Sequence, residues 1–60
     1  MRKIKEYRQK AGLSQKALGE KCNVSDVMIH YVEVGRLNPS IFLLRDIATA
    51  LGVTMEDLME

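Results

Sequence analysis

The stretch KALGEKCNVSDVMIHYV, residues 16–32, contains two apolar runs with helical spacing that are separated by a turn of only a few residues. The first run ends at Cys22 and the second begins at Val27. Between them, Asn23 is the non-glycine residue best able to adopt the left-handed conformation that ends a helix. Ser25 is a favourable N-cap for the next helix. The sequence therefore predicts a sharp turn between two helices.

Gly19 lies in the middle of the first of these helices, where a glycine costs about 1 kcal/mol relative to alanine. If the two helices cross steeply after a short turn, the residue on the inner side of the first helix must be small enough to let the second pass. Close packing is therefore the expected reason for Gly19, and a glycine that merely faces solvent is the alternative.

The rest of the chain also shows helical spacing, and the alternation of period two that marks strands is absent. The sequence predicts five short helices, with glycine stops at Gly12, Gly35 and Gly52, serine N-caps at Ser14, Ser25 and Ser40, and a capping box at Thr54 and Asp57. The residues expected to face inward are Ile4, Tyr7, Ala11, Ala17, Leu18, Cys22, Met28, Ile29, Val32, Ile41, Leu44, Ile47, Ala48, Leu51, Met55 and Leu58.

Sixty residues predict one small domain, residues 1–60, with a compact aliphatic core. The single cysteine, Cys22, cannot form an internal disulfide, and without clustered histidines it does not indicate a metal site. The longest uninterrupted apolar run is Ile41–Leu44, and the first ten residues lack the apolar segment of a secretion signal. We expect a soluble cytoplasmic protein without a membrane span.

The net charge is only +1, but the charges are unevenly distributed along the chain. Residues 1–36 carry eight Lys and Arg against four Asp and Glu, whereas residues 37–60 carry one against four. A basic first half suits a protein that faces a polyanion, although a solvated charged surface is the alternative interpretation.

The segment LSQKALGEKCNVSDVMIHYVEVGRLNPS, residues 13–40, together with ALGV at residues 50–53, resembles the helix-turn-helix family of phage repressors and Cro proteins (the XRE type). The resemblance covers nearly the whole chain. It implies an all-α, compact five-helix domain whose helix-turn-helix spans about residues 15–34. It also implies a repressor-like transcriptional regulator that binds duplex DNA as a dimer, with its third helix in the major groove of palindromic half-sites.

On the third helix, the side opposite Ile29 and Val32 is expected to face the DNA bases. The candidate base-reading residues are Asp26, Val27, Met28, His30 and Tyr31, with Val34 on the same side. Members of this family usually place Gln, Arg, Ser or Thr after the cap, so the acidic and apolar residues at positions 26–28 are a departure. The alternatives are a helix-dipole role for Asp26, a solvated His30, a surface Tyr31 and a Met28 at the edge of the core.

Phosphate contacts need only hydrogen-bond donors or cations near the rims of the groove. The candidates are Ser14, Gln15, Lys16 and Ser25 around the two helix starts, and Arg36 and Asn38 in the loop after the third helix. Gln15 matches the family's phosphate-contacting position.

Two further pairs carry expected structural roles. Arg8 and Glu33 match a pair that, in several relatives, joins the first helix to the end of the third through an ion pair. Phe42 and Leu43 lie partly off the inward face of the fourth helix. They are a candidate dimer interface, unless both pack under the C-terminal helix.

The sequence shows no pattern typical of an enzyme. The only histidine has no recognisable nucleophile or carboxylate pair, and no glycine-rich phosphate loop is present. We expect no cofactor, metal or small-molecule ligand. Besides a DNA-binding regulator, the sequence allows a protein-interaction module, such as an antitoxin or adaptor, because the expected reading face is acidic and apolar.

Overall fold

The computed structural model describes residues 1–59 and shows five α-helices within them. They are α1 (Arg2–Lys10), α2 (Gln15–Cys22), α3 (Asp26–Glu33), α4 (Ile41–Leu51) and α5 (Met55–Leu58). No strand occurs in this part of the chain. The predicted all-α fold with a helix-turn-helix at α2 and α3 is confirmed. None of these helices is long and apolar enough to cross a membrane.

The helix boundaries follow local capping chemistry. The side chains of Ser14, Ser25, Ser40 and Thr54 each accept a hydrogen bond from the backbone N–H three residues later, at the starts of α2 to α5. Asn23 ends α2 in the left-handed conformation, with φ 59° and ψ 36°. Both signals predicted for the turn between α2 and α3 are therefore present.

Gly19 lies where the backbone of that turn passes closest to α2. A Cβ atom at this position would be 2.6 Å from the carbonyl oxygen of Val24 and 3.2 Å from the carbonyl carbon of Ser25. Both are backbone atoms, so neither can move aside as a flexible side chain could. The expected packing reason for Gly19 is confirmed, because only a residue without Cβ lets α3 start so close to α2.

The core is aliphatic and draws on all five helices. The fully buried large side chains are Ile4, Leu18, Ile29, Val32, Ile47 and Leu58. Two residues expected to face inward are exposed. Ala11 is exposed because α1 has already ended there, and Ile41 is 67% exposed because no other element covers the first turn of α4.

Several polar contacts fix α1 against the C-terminal end of α3. The amino group of Met1 donates hydrogen bonds to the carbonyl oxygens of Val32 at 2.9 Å and Glu33 at 3.1 Å. A positive group at the carbonyls of the last turn of α3 is favourable for both hydrogen bonding and the helix dipole. The C-terminal end of α3 is therefore fixed on the side opposite its exposed outer face.

Candidate nucleic-acid interface

The outer face of α3 is exposed along its whole length. Val27 is 52% exposed, Tyr31 40% and Val34 53%, and Asp26 and His30 are exposed as well. The structure thus places all five residues on the side on which the sequence predicted them. Met28 is half-buried, at the border between this face and the core.

An open groove of about 400 Å³ lies where the start of α2 meets the outer face of α3. It is lined by Gln15, Asp26, Val27, His30 and Tyr31. Four of these residues are candidate base readers, and Gln15 is a candidate phosphate contact. The fold therefore gathers residues from both predicted groups on one surface.

Asp26 stabilises the start of its own helix, α3. Its Oδ1 accepts a hydrogen bond from the backbone N–H of Val27 at 2.9 Å, and its negative charge lies at the positive end of the α3 dipole. The other carboxylate oxygen remains as an acceptor on the groove. The helix-dipole role and a role in reading bases are thus compatible.

Tyr31 is flanked by the side chains of Arg36 and His30. The guanidinium Cζ of Arg36 lies 5.4 Å from the Tyr31 ring centroid, at a cation–π distance, and the His30 ring centroid lies 6.0 Å away. The backbone N–H of Arg36 also donates to the Tyr31 carbonyl at 2.9 Å. Arg36, a candidate phosphate contact, is thereby held beside the reading face.

Behind this face, Arg8 and Glu33 form a buried ion pair. Arg8 Nε donates to Glu33 Oε2 at 2.7 Å, and Arg8 Nη2 donates to Glu33 Oε1 at 3.2 Å. The third guanidinium nitrogen, Nη1, donates to the carbonyl oxygen of Leu13 at 2.8 Å. Arg8 therefore ties α1 to both α3 and the segment that leads into α2.

Gln15 joins this pair to the surface, a contact that the sequence did not predict. Its amide nitrogen donates to Glu33 Oε1 at 3.0 Å and lies 3.3 Å from His30 Nδ1. In this conformation the side-chain N–H groups of Gln15 contact protein atoms. A phosphate contact by this side chain requires it to rotate, whereas the backbone at the start of α2 remains a donor.

The remaining phosphate candidates are accessible at the surface. Lys16, Asn38, Ser14 and Ser25 are all exposed. The two serine hydroxyls accept hydrogen bonds as N-caps, which leaves their own hydrogens available to a ligand.

The candidate dimer patch differs from the predicted one. Leu43 is half-buried and packs against the core, so it does not form an exposed pair with Phe42. Phe42 is 66% exposed and lies next to the equally exposed Ile41. The exposed apolar patch at the start of α4 is therefore Ile41 and Phe42, which we call the α4 patch.

No group of three or more His, Cys, Asp or Glu residues within residues 1–59 is arranged to hold a metal ion. Cys22 is buried, and burial, reinforced by the charge of Asp46, raises the pKa of its thiol. A thiol that is protonated and buried is a weak nucleophile and a weak metal ligand. Cys22 therefore serves the core.

A family model described as "Helix-turn-helix" matches residues 4–58. The chain belongs to the helix-turn-helix family. The resemblance to the repressor and Cro type is thereby confirmed, and α2 and α3 are the helices that give the family its name. Both helices that line the groove therefore lie within the matched region.

Curated relatives support this assignment. An uncharacterized HTH-type transcriptional regulator of Archaeoglobus fulgidus is 38% identical over 93% of this chain and 80% of its own length. YgzD, an uncharacterized HTH-type transcriptional regulator of Bacillus subtilis, is 38% identical over 93% of this chain and 85% of its own length. DdrOP3 of Deinococcus deserti, also an HTH-type transcriptional regulator, is 34% identical over 97% of this chain, which spans only 45% of that protein. No solved structure gave a significant match.

These relatives are transcriptional regulators by name, and the helix-turn-helix family is one of DNA-binding regulators rather than enzymes. The chemistry of the groove agrees with this class. It offers hydrogen-bonding groups and apolar surface on an open face.

Proposed function

We propose that the protein is a transcriptional repressor that recognises a palindromic operator in duplex DNA, with α3 in the major groove and α2 across the backbone. The observation that carries this proposal is the exposed face of α3, which projects five side chains while its opposite side is fixed to α1 and α2. A rigid helix with an uncovered face fits the width of the major groove.

The side chains on this face supply three kinds of base contact. Val27 is a methyl surface for thymine, and Tyr31 carries a hydroxyl for a base edge or phosphate. Asp26 accepts a hydrogen bond from cytosine N4 through the oxygen that does not cap the helix. His30 on this face and Met28 at its border with the core complete the reading set.

Backbone contacts come from the two rims of the face. One side carries Ser14, Lys16 and Ser25, together with the backbone N–H groups at the start of α2, where Gln15 lies. The other side carries Arg36 and Asn38, in the loop that follows α3. Exposed cations at these rims attract phosphates and release counterions, which makes binding strongly salt-dependent. Binding by such a small interface gains both affinity and specificity when two copies occupy adjacent half-sites.

The second copy is a homodimer partner that meets the α4 patch. Ile41 and Phe42 are two-thirds exposed large apolar side chains on neighbouring positions. Burying them between two copies removes apolar surface from water at about 25 cal/mol per Å². The two half-sites of a palindrome would then match the two-fold symmetry of the protein.

Selection of binding sites from random duplex DNA tests this function directly. We expect enrichment of a symmetric sequence, and an affinity whose logarithm falls steeply with the logarithm of salt concentration. Val27→Ala should reduce discrimination at single base pairs by about 1–3 kcal/mol at most, whereas Arg36→Ala should weaken all sequences alike and flatten the salt slope by about one unit. If no duplex is enriched, the protein is an interaction module. The exposed apolar side chains of Val27 and Val34 would then contact a partner protein.

A further inference from the structure

A chain of hydrogen bonds runs from the buried ion pair of Arg8 and Glu33 to Gln15 and His30 on the groove. It determines which of these side-chain atoms donate and which accept. The Arg8 guanidinium has only donors, and it faces the carboxylate of Glu33, which when ionised has only acceptors. The Gln15 side-chain atom 3.0 Å from Glu33 Oε1 must therefore be a donor. The orientation of the Gln15 amide is thus determined, with its NH₂ group toward Glu33.

The same NH₂ group lies 3.3 Å from His30 Nδ1. A neutral imidazole carries its proton on one nitrogen and accepts at the other. Because the Gln15 nitrogen can only donate, His30 Nδ1 must accept, and the ring proton is then on Nε2. The network therefore selects one tautomer of an exposed histidine on the groove.

We propose that Gln15 is a positioning residue for base recognition, and that it holds neutral His30 as an Nε2–H donor for an acceptor on a base edge in the major groove. The major-groove acceptors of this class are purine N7, guanine O6 and thymine O4, whereas cytosine presents an N4 donor and is disfavoured. This inference rests on the proposed function. It assigns Gln15 a role through His30 instead of a direct contact to phosphate.

Protonation of His30 provides a readout for this arrangement. The charged groups around the ring are Asp26 and Glu33 on α3 itself, Arg8 of α1 behind Glu33, and Arg36 beyond Tyr31, while α2 contributes the uncharged Gln15. When His30 gains a proton, Nδ1 becomes a donor that faces another donor, so the link to Gln15 breaks. The added positive charge also attracts phosphates. We therefore expect protonation of His30 at lower pH to reduce base preference and to raise non-specific affinity.

The first experiment uses the free protein and does not depend on DNA. Nitrogen-15 NMR of the imidazole ring at about pH 8 should show the Nε2–H tautomer of His30 as the major form. In Gln15→Met, which keeps the length of the side chain but removes its donors, the tautomers should move toward a mixture. Gln9→Met, at an exposed glutamine of α1, is the matched control and should leave His30 unchanged. A major Nδ1–H form, or no change in Gln15→Met, overturns the proposal.

The second experiment measures competition between single-base variants of the selected operator. Gln15→Met and His30→Phe, which removes the ring donor, should each reduce the preference at one base pair by about threefold to tenfold and remove the pH dependence of that preference. Gln15→Asn, whose shorter side chain cannot span the same gap, should repeat the effect if Gln15→Met proves poorly folded. If Gln15→Met instead weakens all sequences alike and lowers the salt slope, Gln15 contacts phosphate and the positioning role is wrong. Absence of any duplex binding refutes the proposed function. The tautomer experiment, which needs no DNA, then still decides whether Gln15 fixes the tautomer of His30.

Discussion

Arg8 and Glu33, 25 positions apart in the chain, meet in an ion pair whose two hydrogen bonds measure 2.7 and 3.2 Å. Only 8% of Arg8 and 6% of Glu33 is exposed. Removal of two charges from water costs several kcal/mol for each ion, and their attraction and hydrogen bonds offset this cost. The pair therefore contributes more to the position of α3 than to the net stability of the fold.

Replacement of one partner should consequently destabilise the domain more than replacement of both. Arg8→Ala leaves the Glu33 carboxylate buried without its cation, so we expect a loss of about 3–5 kcal/mol, whereas Arg8→Met combined with Glu33→Leu should cost much less. Chemical denaturation of the three proteins measures the difference. The control is Glu6→Ala, because Glu6 Oε2 lies 3.9 Å from Arg2 Nε in an exposed ion pair. Removal of this carboxylate should change the free energy of unfolding by about 1 kcal/mol or less. Equal and small effects of all variants would show that the buried pair is solvated in solution.

Gly19→Ala offers a test in which two effects have opposite signs. Helix propensity alone favours alanine by about 1 kcal/mol. The new Cβ, however, would lie 2.6 Å from the carbonyl oxygen of Val24, so the turn must shift at a cost of about 1–3 kcal/mol or more. We expect a lower thermal unfolding midpoint for Gly19→Ala and little change for Lys21→Ala on the exposed side of α2. A rise in the midpoint would disprove the close approach of the turn to α2.

The capping box of α5 should give the domain a distinctive response to acid. The backbone N–H of Thr54 donates to the carboxylate of Asp57 at 2.9 Å, and this hydrogen bond, aided by the Thr54 hydroxyl, lowers the pKa of Asp57. A lowered pKa in the folded state means that the ionised form stabilises the fold. This contribution is present above the pKa of an unfolded aspartate, about 3.9, and is lost as the pH falls through the lower folded value.

Asp57→Asn should therefore weaken the domain at neutral pH and reduce the loss of stability between about pH 4 and pH 2. The effect reaches the core because Leu58, the next residue, is fully buried. Thermal unfolding of both proteins across this pH range measures the contribution. Glu56→Gln, one position earlier on the same helix, is the control, and it should lose stability at low pH to the same extent as the wild type. Parallel pH profiles for Asp57→Asn and the wild type would contradict the expectation.

The amino-acid sequence determines the helix boundaries because capping is local chemistry. Ser14, Asn23 and Ser25 each act on backbone groups within four positions, so their roles can be predicted without knowledge of the fold. Gly19 could also be explained in advance, because its partner is the turn immediately after its own helix.

Other features depend on contacts that no local pattern contains. The inward face of α4 continues to Ile41 by helical spacing, but only the three-dimensional arrangement shows that nothing covers that first turn. Gln15 reaches Glu33 and His30 across 18 and 15 positions. No local pattern indicates this link, because Glu33 and His30 lie on another helix, and the family resemblance predicts a phosphate contact for Gln15 instead.

The α4 patch is expected to mediate self-association on DNA. Phe42→Ser removes an aromatic side chain that is 66% exposed, so it should cost little folding stability while reducing the contact between two copies. We expect weaker cooperativity between half-sites and a smaller particle in analytical ultracentrifugation of the complex with operator. Met59→Ser, at another exposed apolar side chain near the chain end, is the control. Unchanged cooperativity in Phe42→Ser would place the dimer contact elsewhere.

Asp26→Asn tests the placement of α3 in the major groove most directly. The carboxylate lies at the start of α3 on the groove and caps its own helix through Oδ1, a role that the amide oxygen of asparagine can keep. Removal of the negative charge near phosphates should raise the affinity for random duplex DNA. If the second carboxylate oxygen also accepts from cytosine N4, the preference at that base pair should fall in the same variant. Competition binding against single-base operator variants separates the two effects, with Glu20→Gln on the exposed part of α2 as a charge-matched control. If Asp26→Asn changes neither the non-specific affinity nor any base preference, Asp26 is only a helix cap and α3 does not enter the groove.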